Sequence, residues 1–103
     1  MRIDLKADPE AGAPTLHEPD DFKGFSVLLE GEGPAAAALA RLGRVADDGE
    51  HVFVDPQVLR ELAGDRAADP AWSASLEGMI GFAAEHGWVD EAGFIRAHVE
   101  RGG

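Results

Sequence analysis

A chain of 103 residues without an internal repeat is expected to form one domain over 1–103, large enough for a single hydrophobic core. Cysteine is absent, which excludes a disulfide framework, a thiolate nucleophile and a Cys-based zinc site. Twenty acidic residues against nine basic ones give a formal charge of −11, which repels phosphate backbones and anionic lipid surfaces.

Nucleic-acid and membrane partners are therefore not expected, and a basic protein partner or a second copy of the chain is. The nine basic residues are scattered, so no local cluster overrides the mean. No apolar run approaches the ~20 residues of a membrane helix, and the N-terminus has no signal-like apolar segment, so a cytoplasmic location is the expectation.

In chain order, Ile3 and Leu5 alternate with Arg2, Asp4 and Lys6, the pattern of a half-buried strand. Residues 8–21 carry Pro9, Pro14 and Pro19 among acids such as Asp8, Glu10 and Asp20, which predicts a flexible acidic loop. Phe25 to Glu30 reads as a second strand. Gly31-Glu32-Gly33-Pro34 turns it into a short helix ending at Leu42. Arg44–Ala46 and His51–Val54 flank Asp47-Asp48-Gly49-Glu50, a hairpin signal.

Two helices follow, each opened by an Asp-Pro pair. In the first, Pro56 to Ala63, Val58, Leu59 and Leu62 make a stripe. In the second, Pro70 to His86, the spacing of Trp72, Leu76, Met79, Ile80 and Ala83 puts one apolar face in the core, with Gly87 at the end. Trp88-Val89 and Phe94–Val99 surround Asp90-Glu91-Ala92-Gly93 as a second hairpin, and 101–103 is expected to fray. The order β-β-α-β-β-α-α-β-β predicts an α+β fold with a mostly antiparallel sheet.

Three stretches invite a functional reading. Gly31-Glu32-Gly33-Pro34-Ala35-Ala36 follows a strand, opens a helix and fits G-x-G-x-x-A, with Asp55 at the end of a later strand. Gly31, Gly33, His51 and Asp55 are thus candidate ligand-binding residues for a nucleotide or another small molecule. Against a nucleotide stand Glu30 and Glu32, which put carboxylates where a pyrophosphate must sit, and Asp55 already has a duty as an N-cap.

The C-terminal order of helix, helix and hairpin resembles a winged helix, which implies a DNA-reading regulator. The exposed face of the second helix offers Ala74, Glu77, Gly78, Gly81 and Glu85 instead of basic and amide groups, so this resemblance and the charge disagree.

Finally, the back of the long helix carries two interior glycines, which cost about 1 kcal/mol each relative to alanine. That cost points to close approach by another element, to a second subunit or to a kink. Ala74, Gly78 and Gly81 are therefore candidate interface residues, and Phe82 and Trp88 join them as aromatics expected to be part-exposed beside an acidic rim. His51, His86 and His98 would converge if the hairpins pack beside the long helix, with Asp55, Glu85 or Glu100 to orient one of them. No catalytic signature is present, so no catalytic residue, metal ligand or cofactor is assigned. The reading that follows is a non-catalytic protein-interaction or self-associating module; the alternative is a small-molecule or enzymatic domain built on the Gly31–Pro34 turn.

Overall fold

The computed structural model describes residues 1–8 and 12–102. It is an α+β fold with a six-stranded mixed sheet and three α-helices. The strands are β1 (Arg2–Lys6), β2 (Thr15–His17), β3 (Ser26–Glu30), β4 (Gly43–Val45), β5 (His51–Val54) and β6 (Ile95–Gly102). The helices are α1 (Ala35–Leu39), α2 (Pro56–Ala63) and α3 (Pro70–Glu85), and a 3-10 segment, Gly64–Ala68, joins the last two. Across the sheet the order is β2-β1-β3-β6-β5-β4.

The inward side chains of the strands alternate as the sequence pattern requires. Ile3, Leu5, Val27, Leu29, Val52, Val54, Ile95 and Ala97 are buried and share one cluster with Ala38 and Leu39 of α1, Leu59 of α2, and Trp72, Leu76 and Ala83 of α3. All three helices thus cover the same face. The other face stays open to solvent and is largely ionic: Arg2 reaches Asp4 at 2.6 Å and Lys6 reaches Glu30 at 3.3 Å.

Both Asp-Pro starts act as capping suggests. The Asp55 side chain accepts from Gln57 N–H and that of Asp69 from Ala71 N–H, each at 2.9 Å. The end of α3 is a complete Schellman motif. Gly87 takes φ +74°, its N–H donates to the Ala84 carbonyl at 3.1 Å, and Trp88 N–H donates to the Ala83 carbonyl at 2.8 Å. This fixes where Trp88 leaves the helix.

Three of the five strand pairs are antiparallel, in keeping with the mostly antiparallel expectation; the central pairs β1–β3 and β3–β6 are parallel, so the sheet is mixed. Other expectations are corrected. The segment 8–21 is no uniform loop, because Thr15–His17 pairs with β1; residues 9–11 lie outside the described residues.

The tail does not fray at Arg101 and Gly102, which pair with Leu29 and Glu30, while residue 103 lies outside the described residues. Helix α1 has five residues and stops before Leu42. The first arm of the last hairpin is a single bridge, Val89 to Ile95. The winged-helix expectation meets its obstacle here: β6, the arm that would be half of a wing, lies inside the sheet between β3 and β5. Pairing on both edges leaves it no freedom to reach a groove.

Candidate functional site

The sheet has one interruption, and it lies beside β6. On its β5 edge, β6 is paired from Ile95 to His98 without a break. On its β3 edge the ladder begins only at His98, opposite Ser26. Earlier along that edge, Arg96 N–H donates to the Trp88 carbonyl at 2.7 Å and Val89 bridges Ile95. Between these two partners the chain 22–25 turns away from β6, and a cleft of 210 Å³ forms there.

Each wall has an identifiable support. Segment 18–25 is tied to α3 because Trp72 Nε1–H donates to the Pro19 carbonyl at 2.8 Å and the rings of Phe22 and Trp72 lie 6.0 Å apart. The Met1 nitrogen donates to the Asp21 and Gly24 carbonyls, each at 3.0 Å, which holds the bend that exposes Phe22 and Phe25 to the cleft. Opposite stand Met79 and Phe82 of α3 and Trp88 after it. His86 stacks on Trp88 at 4.6 Å and lies 4.3 Å from Phe82; its Nδ1–H donates to the Phe82 carbonyl at 2.9 Å.

The polar rim comes from the open face of the sheet: Arg96 and His98 of β6, His51 of β5, and Lys23. The rings of His51 and His98 face each other edge-on at 5.4 Å. His51 is oriented from behind, since its Nδ1 lies 2.7 Å from Asp48 Oδ2. The Glu50 N–H and then the His51 ring hold Asp48 below the usual carboxylate range, so it is an acceptor and His51 Nδ1 carries the donated proton. His51 Nε2 remains available on the cleft side.

Chemically, the arrangement offers an aromatic-walled apolar space with nitrogen donors at one side. Ser26 is in register with His98, but no hydrogen bond joins its hydroxyl to either ring among the described residues. The described residues contain no group of three or more His, Cys, Asp or Glu side chains that could hold a metal ion.

The residues singled out from the sequence scatter. His51 and His98 meet at the cleft, as do Phe82 and Trp88, whereas His86 packs behind the aromatic wall. Gly31 and Gly33 lie elsewhere, at the end of β3; a Cβ on Gly33 would come within 3.1 Å of the Ala7 carbonyl oxygen, so this glycine lets the chain pass β1's continuation. Asp55 is occupied as the α2 cap. Ala74, Gly78 and Gly81 are exposed, and a Cβ added at either glycine meets nothing within 4 Å, so no element among the described residues packs there.

Lys23, Phe22, Phe25, Met79 and Arg96 were not singled out. The signal available for them was slight: an aromatic-basic run, Phe22-Lys23-Gly24-Phe25, and the outward alternation of Arg96 and His98. Compared with models of protein families, with characterised proteins and with solved structures, the chain matches none.

Proposed function

We propose that this protein is a non-catalytic binding module that holds a small molecule in the cleft between the entry to β3 and the start of β6. The observation that carries this reading is the concave, aromatic-walled 210 Å³ space on which His51, His98 and Arg96 converge. A flat apolar patch would have favoured a protein contact; concavity with a few converging polar groups favours a small ligand. The ligand site anticipated at Gly31–Pro34 thereby moves to the cleft. The volume also bounds the ligand: a cavity of about 150 Å³ accommodates benzene, so one ring with a short substituent fits here.

The test is a thermal-shift and amide-resonance screen with single-ring compounds. A true ligand at a hundredfold excess over Kd stabilises the fold by about 2.7 kcal/mol and moves the signals of Phe25, Trp88 and His98 together. Ligands that move none of these signals sink the proposal.

A second reading rests on Phe82, the large apolar side chain left 56% exposed at the cleft's mouth. It makes this end of α3 a docking point for a partner protein that brings an apolar anchor flanked by acidic residues to meet Lys23 and Arg96. Phe82→Ser, checked for folding by circular dichroism, would then abolish partner binding. Self-association along Gly78 and Gly81 is tested separately: an unchanged mass by light scattering for folded Gly78→Leu, relative to the unaltered protein, removes it.

A further inference from the structure

We infer that the ligand of the cleft is an aromatic carboxylate, with its ring against Phe25, Phe82 and Trp88 and its carboxyl group on Arg96, His98 and Lys23. The inference rests on the reading of the cleft as a small-molecule site and adds the ligand's charge to it.

The argument is one of unspent charge. The chain holds more than twice as many acids as bases. Arg2, Lys6, Arg44 and Arg66 sit on Asp4, Glu30, Asp90 and Asp20. Among the described residues Lys23, Arg41, Arg60, Arg96 and Arg101 have no carboxylate within salt-bridge distance, and what sets Lys23 and Arg96 apart from the other three is that both line the cleft. Arg96 instead lies over the Trp88 ring, 5.7 Å from its centroid, with its fork of donors uncommitted.

Among the described residues no aspartate or glutamate lines this space. Two acidic groups stand beside the rim and both are engaged: Asp48 is turned to the back of His51, and Asp21 accepts from the Lys23 backbone N–H at 3.0 Å and lies 3.8 Å from the Met1 ammonium. Glu100, two residues beyond His98, faces the neighbouring row of β3 and β1, where it acts on Arg2. The long-range repulsion of the acidic chain is screened over about 8 Å at physiological salt, whereas contacts with Arg96 and Lys23 act within a few ångströms. The local cations therefore decide.

The walls choose the rest of the ligand. Phe22, Phe25, Met79, Phe82 and Trp88 supply ring faces and a thioether, which suit a planar aromatic body. Recognition is then the sum of ring packing and a charge-assisted pair to a guanidinium, the latter discriminating a carboxylate from its neutral isostere by about tenfold or more.

The experiment compares phenylacetate, phenylacetamide and phenethylamine by titration of the full chain, followed by amide resonances. Phenylacetate is expected to move the signals of Phe25, Arg96 and His98 and to bind at least about tenfold tighter than the amide, with the amine weaker still. Arg96→Met, checked for folding by circular dichroism, should remove that preference, so that acid and amide bind alike. Equal binding of acid and amide at the same signals would overturn the carboxylate inference while sparing the cleft. Absence of any shift at the cleft, with all three compounds, would overturn both.

Discussion

Two arginines of this protein lie over aromatic rings on the open face of one sheet, and their circumstances differ. Arg44 of β4 stacks on Phe53 at 4.3 Å from the ring centroid, and its Nε–H donates to Asp90 Oδ2 at 3.1 Å. Arg96 of β6 lies over Trp88, with no carboxylate on it among the described residues. Asp90, largely covered, also accepts from Ala92 and Phe94 N–H, each at 2.9 Å, and so locks the last hairpin against β4. Beside Arg44 the sheet is closed and the cation is a structural part. Beside Arg96 the ladder is split and the cation is available. The same pairing of residue types serves architecture in one place and recognition in the other, and the difference is whether a carboxylate of the chain arrives.

The closed side breaks most sharply at Gly43. A Cβ there would lie 1.9 Å from the Phe53 carbonyl oxygen, and the obstacle is backbone that β4–β5 pairing holds in place. Gly43→Ala should destabilise by about 3 kcal/mol or more, read as a lower urea midpoint with an unchanged slope. Gly49→Ala, a turn glycine at φ +73° with nothing within 4 Å of a new Cβ, is the milder comparison, because only the local conformation is strained.

Next in size is Asp90→Ala. It leaves two backbone N–H groups and the Arg44 guanidinium without their acceptor, a loss of about 2 kcal/mol. Its charge also has a pH signature. Burial pushes the Asp90 carboxyl up, but the Phe94 N–H, Arg44 and the Ala92 N–H outweigh it, so the group sits below the usual carboxylate value. A folded-state value below the unfolded one means stability present above about pH 4 and lost as the pH falls through the folded value. Asp48 acts in the same sense. Urea midpoints followed from about pH 6 to about pH 3 should therefore fall more steeply for the unaltered protein than for Asp90→Asn.

What the sequence made legible follows from how local each signal is. The capped helices Pro56–Ala63 and Pro70–Glu85 rest on Asp-Pro chemistry and on a stripe from Trp72 to Ala83, all contained within a few turns. The hairpin at Asp48 and the turn at Asp90 are equally local. The cleft is not, because it exists only where β6, the last strand, inserts between β3 and β5 and runs parallel to β3. Nothing in the alternation of Ile95, Ala97 and Val99 says which strand will lie on which edge. Phe25 and Trp88 lie 63 positions apart in numbering and meet only through that topology. The glycines of α3 lose one of their explanations for a related reason: among the described residues nothing approaches Gly78 or Gly81, so packing within the domain does not account for them.

The smallest effects carry the comparison furthest. Arg44→Met keeps an apolar stem over Phe53 but leaves the largely covered Asp90 without its cation, so a loss of about 1 kcal/mol is expected. Arg96→Met removes a charge that no carboxylate among the described residues uses, and its stem can still lie on Trp88; stability should change by less than about 0.5 kcal/mol. Chemical denaturation of the two variants side by side measures the difference. Equal losses would mean that Arg96 is structural after all and that the split in the ladder is held together by it. A loss confined to Arg44 leaves Arg96 with no duty in the fold, which is the condition for a residue kept for a ligand.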